Sequence, residues 1–170
     1  MGNGCIVMDE LLKKAQQALC IRTVNLKESR VLVGDDVDPY SLSSEETKTQ
    51  SFRTVTKVRE LVFTDPDDNE IRDYRFLYSV GVRLIRAADE DEANRDPSFE
   101  PLVEVFAIFE ARYLSKTVVS KEELNVFSKD NVGYHVWPYW RELAQSSCSR
   151  IGMSPVFEVP VYIVNREVSE

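Results

Sequence analysis

The order of apolar patterns along the chain predicts an α+β fold. Residues 74–84 place six apolar side chains (Tyr74, Phe76, Tyr78, Val80, Val82 and Leu84) at a strict period of two, the spacing of a half-buried strand. Further extended segments rich in β-branched and aromatic residues occupy much of the first two thirds. Helical spacing is confined to the two ends. Strands grouped with strands and helices with helices indicate α+β in place of an alternating α/β architecture.

The elements run in order from the amino end. Met8, Leu11, Leu12, Ala15, Ala18 and Leu19 recur at helical spacing and predict a short amphipathic helix over 8–19. Asp9 and Glu10 near its start, with Lys13 and Lys14 further along, agree with the helix dipole. Residues 20–33 read as a first strand. Residues 34–50, with Asp35, Asp36, Asp38, Pro39 and Glu45-Glu46, read as a long irregular connection in which Tyr40 stands alone among polar neighbours. A second extended segment, 52–63, ends at the turn cluster 65–69, and the strand at 74–84 comes next. An acidic loop at 89–96 leads to a fourth extended segment, 102–113. Val103, Val105, Ala107 and Phe109 line one of its faces, while Phe106 and Ile108 make the other apolar as well. That second face is expected to meet either a partner or the N-terminal helix. Ser120 and Glu123 form a capping box opening a short helix to Phe127. After a break at 130–133, a longer helix is predicted to Arg150, with Pro138 in its opening turns and Gly152 as terminator. The whole is expected to be a single domain over 1–170: helix 8–19, sheet 20–113, helices 120–152 and tail 153–170.

A chain of 170 residues with 43% hydrophobic and 29% charged residues has the makings of one ordinary core. Its net charge of −8 and lack of any basic cluster argue against nucleic acid as a partner. An acidic surface suits solubility and a basic partner. The three cysteines, Cys5, Cys20 and Cys148, show neither paired nor zinc-type spacing, which fits a reducing cytosol. No basic leader or membrane-length apolar run is present, so a cytoplasmic protein without membrane insertion is expected.

Catalytic chemistry finds no foothold. The single histidine, His135, sits in an apolar helical stretch and is expected to be structural or exposed. Cys148 lies thirteen positions further along that stretch, about 20 Å away at the helical rise if the helix is continuous. Glu104 and Glu110, six residues apart on one strand, are likewise about 20 Å apart, too far for an acid–base pair. No P-loop, GxGxxG, HExxH or EF-hand spacing occurs. The expectation is a protein without catalytic residues, metal site or cofactor.

The informative segment is the long helix together with the tail. Tyr134, His135, Trp137, Tyr139 and Trp140 crowd seven residues. Trp137, Trp140, Ala144, Cys148 and Ile151 form a stripe at three- and four-residue spacing. Such aromatics suit adaptable recognition of other chains, or they pack the helix onto its own sheet.

The run Val136-Trp137-Pro138-Tyr139-Trp140-Arg141-Glu142-Leu143 resembles the aromatic-Pro-Tyr-x-Arg-Glu signature of SecB, the bacterial secretion chaperone. Arg150, Gly152, Pro155, Val156, Phe157, Pro160 and Val161 continue the likeness without a gap, and Leu102-Val103-Glu104-Val105 is similar to the family's Leu-x-Glu-Val. The resemblance implies a four-stranded antiparallel sheet with helices on one side, assembled as a homotetramer, a dimer of dimers. It also implies ATP-independent holding of unfolded or preprotein chains for export. Client contacts would fall to Tyr40, Val156 and Phe157, with Trp137 and Trp140 beside them. A motor ATPase of the SecA type would dock at Glu28, Leu102 and Glu104 on an acidic sheet face. Ala107-Ile108-Phe109-Glu110 stands where the family usually has paired glycines, and Met153 replaces a tail glycine. These departures are closer to the divergent SecB-like branch, some members of which protect an antitoxin. Three readings are carried forward: an export holdase, a dedicated antitoxin chaperone, and a structural assembly subunit.

Overall fold

Alternation along two neighbouring strands decides which side of the sheet is buried. The computed structural model describes residues 3–42, 46–153 and 157–162. Strands β1 (Cys20–Val33), β2 (Thr47–Thr64), β3 (Glu70–Arg86) and β4 (Val103–Ser115) form one antiparallel sheet in the order β1-β4-β3-β2. Helices α1 (Asn3–Ala18), α2 (Glu90–Arg95) and α3 (Lys121–Arg150) complete the order, with single 3-10 turns at Pro39–Ser41 and Ala87–Asp89. The predicted four-stranded α+β architecture is what the chain adopts.

In register, Phe76 pairs with Ala111, Tyr78 with Phe109, Val80 with Ala107 and Val82 with Val105. All eight side chains lie on one face and are buried. Helix α3 lays Phe127, Val132, Val136, Trp140, Ala144 and Cys148 against that face, all of them buried. Phe76, Tyr113 and Phe127 meet with ring centroids 5.1–5.9 Å apart, two of the three contacts edge-on, an arrangement favoured by the ring quadrupoles. Ala15 of α1 and Leu19 just after it join the same core, and Gln16 reaches Asn131 of α3. The N-terminal helix therefore lies with α3 and does not cover Phe106 and Ile108 on the opposite face, one of the two alternatives the sequence left open.

Three expectations need correction. The break at 130–133 does not exist: α3 is a single helix of 30 residues, with its capping box formed as expected (Ser120 Oγ accepts from Glu123 N at 3.2 Å, and Glu123 accepts from Ser120 N at 2.8 Å). Val132 and Gly133 are both buried against neighbouring structure, and this packing outweighs the turn-like composition of the segment. Pro138 accordingly stands in mid-helix. It is exposed, and its missing amide leaves a carbonyl one turn back without a helical donor. The acidic stretch 89–96 is not a loop but contains α2, held down by Lys48–Glu90 at 2.6 Å and by Arg83 donating to the Ala93 carbonyl. Strand β2 also begins earlier than expected, at Thr47, shortening the β1–β2 connection. The turn at 65–69 is as read: Asp65 Oδ1 accepts from the amides of Asp67 and Asn69, and Asp68 adopts φ 64°.

The sheet's other face carries an apolar centre and a buried charge. Phe52 stacks on Phe106 at 6.1 Å and lies across Gly81, where a Cβ would sit 2.5–3.3 Å from its ring atoms; the glycine makes that approach possible. Asp73 is 0% exposed and accepts from Arg75 at 2.8 Å and Arg112 at 2.6 Å. Burial alone would raise its pKa, but the two arginines outweigh burial and hold it below the usual carboxylate range. Replacing Asp73 by Asn should cost about 2 kcal/mol in urea unfolding at pH 7. This is less than for a fully buried pair, because both arginines stay partly exposed. Because the folded pKa is depressed, this contribution is present above the unfolded value of about 3.9 and is lost as pH falls through the folded value. The difference between wild type and Asp73→Asn should therefore shrink on acidification.

Candidate functional site

The outer side of α3 and the segment that returns along it form a groove of about 870 Å³. Its walls include Tyr134, Trp137, Pro138 and Arg141 of the helix, with Val161 and Tyr162 of the tail. Helical geometry produces this division of labour: Val136 and Trp140 point to the sheet and are buried, while Tyr134, one step round the same helix, is 58% exposed.

The tail is anchored at three places. Phe157 and Val159 are buried against the core. Trp137 Nε1 donates to the Pro160 carbonyl at 2.6 Å. Tyr162 then turns its ring onto Gly133, where a Cβ would lie 2.8–2.9 Å from ring atoms. Any larger residue at this point of the helix would close the slot. Tyr162 meets Trp137 edge-on at 5.2 Å and Tyr134 at 6.4 Å. The Arg53 guanidinium, reaching from β2, stands 4.4 Å from the Tyr162 ring and 5.3 Å from the Trp137 ring, a cation held between aromatic faces.

The seam between α3, the tail and β2 is partly apolar. Tyr78 is buried, and its hydroxyl has no hydrogen-bond partner among the described residues. Burial, then the neighbouring Tyr162, pushes its pKa up, and Arg53 acts in the opposite sense. His135 Nδ1 lies 3.0 Å from the Tyr113 hydroxyl. Burial lowers the histidine's pKa, with a backbone hydrogen bond at Asn131 opposing it, so the ring is neutral at pH 7. The arrangement offers aromatic faces, one indole donor and a guanidinium. These groups suit apolar side chains and main-chain carbonyls of an extended polypeptide.

The site residues expected from sequence fall in different places. Trp137 lines the groove. Trp140 is 2% exposed and belongs to the core, because it falls on the α3 stripe that faces the sheet. Phe157 is buried beside Cys148 and does not reach the surface. Val156 lies outside the described residues. Tyr40 is 75% exposed on the 3-10 turn capped by Asp38, and it is not among the residues lining the α3 groove.

Of the residues expected at a motor-docking face, Leu102 is buried. Glu28 is exposed on β1 opposite Ile108. Glu104 is paired with Arg30 at 3.1 Å and lines a smaller hollow of about 400 Å³ beside α2, together with Phe52, Arg83 and Asn94. The face is not simply acidic, since Arg30, Arg75, Arg83 and Arg112 share it with these carboxylates. Arg53, Gly133 and Tyr162 were not singled out from sequence. The sequence offered Gly133 only as part of the expected helix break, and Tyr162 only as a tyrosine in the apolar tail.

No family model matches the chain, and no curated protein matches it. Among solved structures, the chain is similar to the Mycobacterium tuberculosis SecB-like chaperone Rv1957, solved in complex with a ChAD peptide from the Rv1956 HigA1 antitoxin. The two share 14% identity and a TM-score of 0.55, over 91% of this chain and 99% of that one. The likeness establishes a SecB-like fold.

The two tryptophans should separate by role. Trp140→Ala should lose about 3–5 kcal/mol in urea unfolding, as expected for an emptied aromatic core site, whereas Trp137→Ala should lose about 1 kcal/mol. Equal losses would contradict the assignment of Trp137 to the groove.

Proposed function

We propose that this chain is an ATP-independent chaperone that holds non-native polypeptide in the groove between α3 and the tail. The observation that carries the reading is the groove itself: Tyr134, Trp137 and Val161 present apolar surface there, and the Trp137 indole already donates to a main-chain carbonyl of the tail segment beside it. Each large apolar side chain buried in such a groove contributes roughly 1.5–3 kcal/mol, so a few weak anchors suffice without a chemical step. The SecB-like fold supports the same reading.

A dedicated antitoxin client is the finer version we favour over general export. It is supported by the SecB-like neighbour, whose solved complex contains an antitoxin peptide. Docking to a SecA-type motor through Glu28, Leu102 and Glu104 has less support, because Leu102 is buried and Glu104 is paired with Arg30. We further propose that the chain works in the cytoplasm as a single domain within a homotetramer. The apolar residues left exposed on both edge strands support assembly, and Tyr40, exposed on its turn, extends the client surface.

Light scattering from an aggregating, chemically unfolded client tests the proposal. The chain at stoichiometric ratio should suppress scattering without nucleotide. Tyr134→Ala with Trp137→Ala should weaken client affinity at least about tenfold, by the loss of two anchors. A chain that leaves aggregation unchanged is not a chaperone of this kind.

A further inference from the structure

Tyr162 is held by several side chains at once. The slot that receives it is built from two distant parts of the sequence, α3 and β2. Gly133 supplies the space, Trp137 and Tyr134 the edge-on walls, and Arg53 a cation over the ring. Tyr162 also acts electrostatically on the buried Tyr78, whose hydroxyl is without a partner among the described residues. Two residues earlier the tail's main chain is gripped by the Trp137 indole through the Pro160 carbonyl. A carbonyl hydrogen bond and then, two residues on, an aromatic ring in a pocket is a way of reading an extended peptide.

We propose that Tyr162 is a built-in occupant of a slot at the edge of the client groove, and that this slot at Gly133 takes an aromatic side chain of an extended client once Tyr162 has left it, while Phe157 and Val159 stay in the core. The inference rests on the proposed polypeptide-binding function and specifies its ligand. The preferred segment carries Tyr, Phe or Trp two residues after a carbonyl that faces Trp137. The tail sets a threshold, because a client binds only the fraction of molecules whose slot is empty, and its apparent affinity falls by that fraction. Val161 is exposed beside the filled slot, so a client has a first foothold on the groove before the tail withdraws.

The test uses the full chain and a fluorescently labelled peptide with the sequence of residues 157–162, Phe-Glu-Val-Pro-Val-Tyr, monitored by anisotropy. The peptide should bind Tyr162→Ala at least about tenfold more tightly than wild type, since the competing tail is disarmed. The same peptide ending in Ala should show no such gain, and adding Gly133→Ala to Tyr162→Ala should abolish it. Equal binding to wild type and Tyr162→Ala would overturn the proposal. So would a gain that survives closure of the slot by Gly133→Ala. If Tyr162 merely completes the core, its replacement lowers stability and leaves peptide affinity at the wild-type level, which also overturns it.

A measurement on the unaltered chain avoids any dependence on the variants folding. Excess peptide should speed hydrogen exchange at the Val161 and Tyr162 amides as the tail is displaced, and unchanged or slower exchange would contradict displacement. Peptide capture without suppression of aggregation would sink the chaperone reading and keep the slot. Suppression without any Tyr162 effect would do the reverse.

Discussion

One helix has to cover a sheet that is wider than itself. Four strands spaced by about 4.8 Å present a face roughly 20 Å across, while a helix with its side chains is only about 10–12 Å wide. Helix α3 therefore seals the two inner strands and leaves the outer ones partly bare. On β1, Ile21, Leu26 and Val31 pair with core residues of β4 and still remain exposed. On β2, Val58 pairs with buried Phe76 and is exposed as well. Burial of the centre stabilises the domain, and the bare margins are apolar surface of the kind that invites another chain.

The tail is a partial answer to that constraint. It runs beside α3 on the side where Arg53 rises from β2, and its Phe157 and Val159 enlarge the core. Its last described residue reaches the helix only because Gly133 has no side chain. An uninterrupted α3 is what makes both roles compatible. One stripe of the helix, with Val136, Trp140, Ala144 and Cys148, is spent on the sheet. The neighbouring stripe, with Tyr134, Trp137 and Arg141, remains for the groove. Pro138 stands on the outer side and removes a main-chain donor where solvent is near. The cost to the helix is thereby kept off the core.

Much of the fold was legible because its signals are local. The period-two run from Tyr74 to Leu84 and the β-branched stretch that became Cys20–Val33 needed no tertiary information. The α3 break was misread because Asp130-Asn131-Val132-Gly133 is turn-like by composition, whereas its helicity is set by burial of Val132 and Gly133. The acidic stretch holding α2 was misread for a similar reason, since its contacts to Lys48 and Arg83 come from distant strands. The site was legible only in part. Trp137 and the tail stood out through their aromatic and apolar density. The meeting of Arg53 with Tyr162, more than a hundred residues apart, is written in no local pattern. Nor does periodicity say that Trp140 faces the sheet while Trp137, three residues earlier, also lines the groove.

On the proposed function, non-native chains are held by the α3–tail groove and not by the open face of the sheet. A photo-crosslinking amino acid placed at Tyr134 in one variant, and at Lys57 of the open face in another, tests this directly during incubation with an unfolded client. The account predicts client adducts at position 134 and none above background at position 57. Adducts confined to position 57 would contradict it.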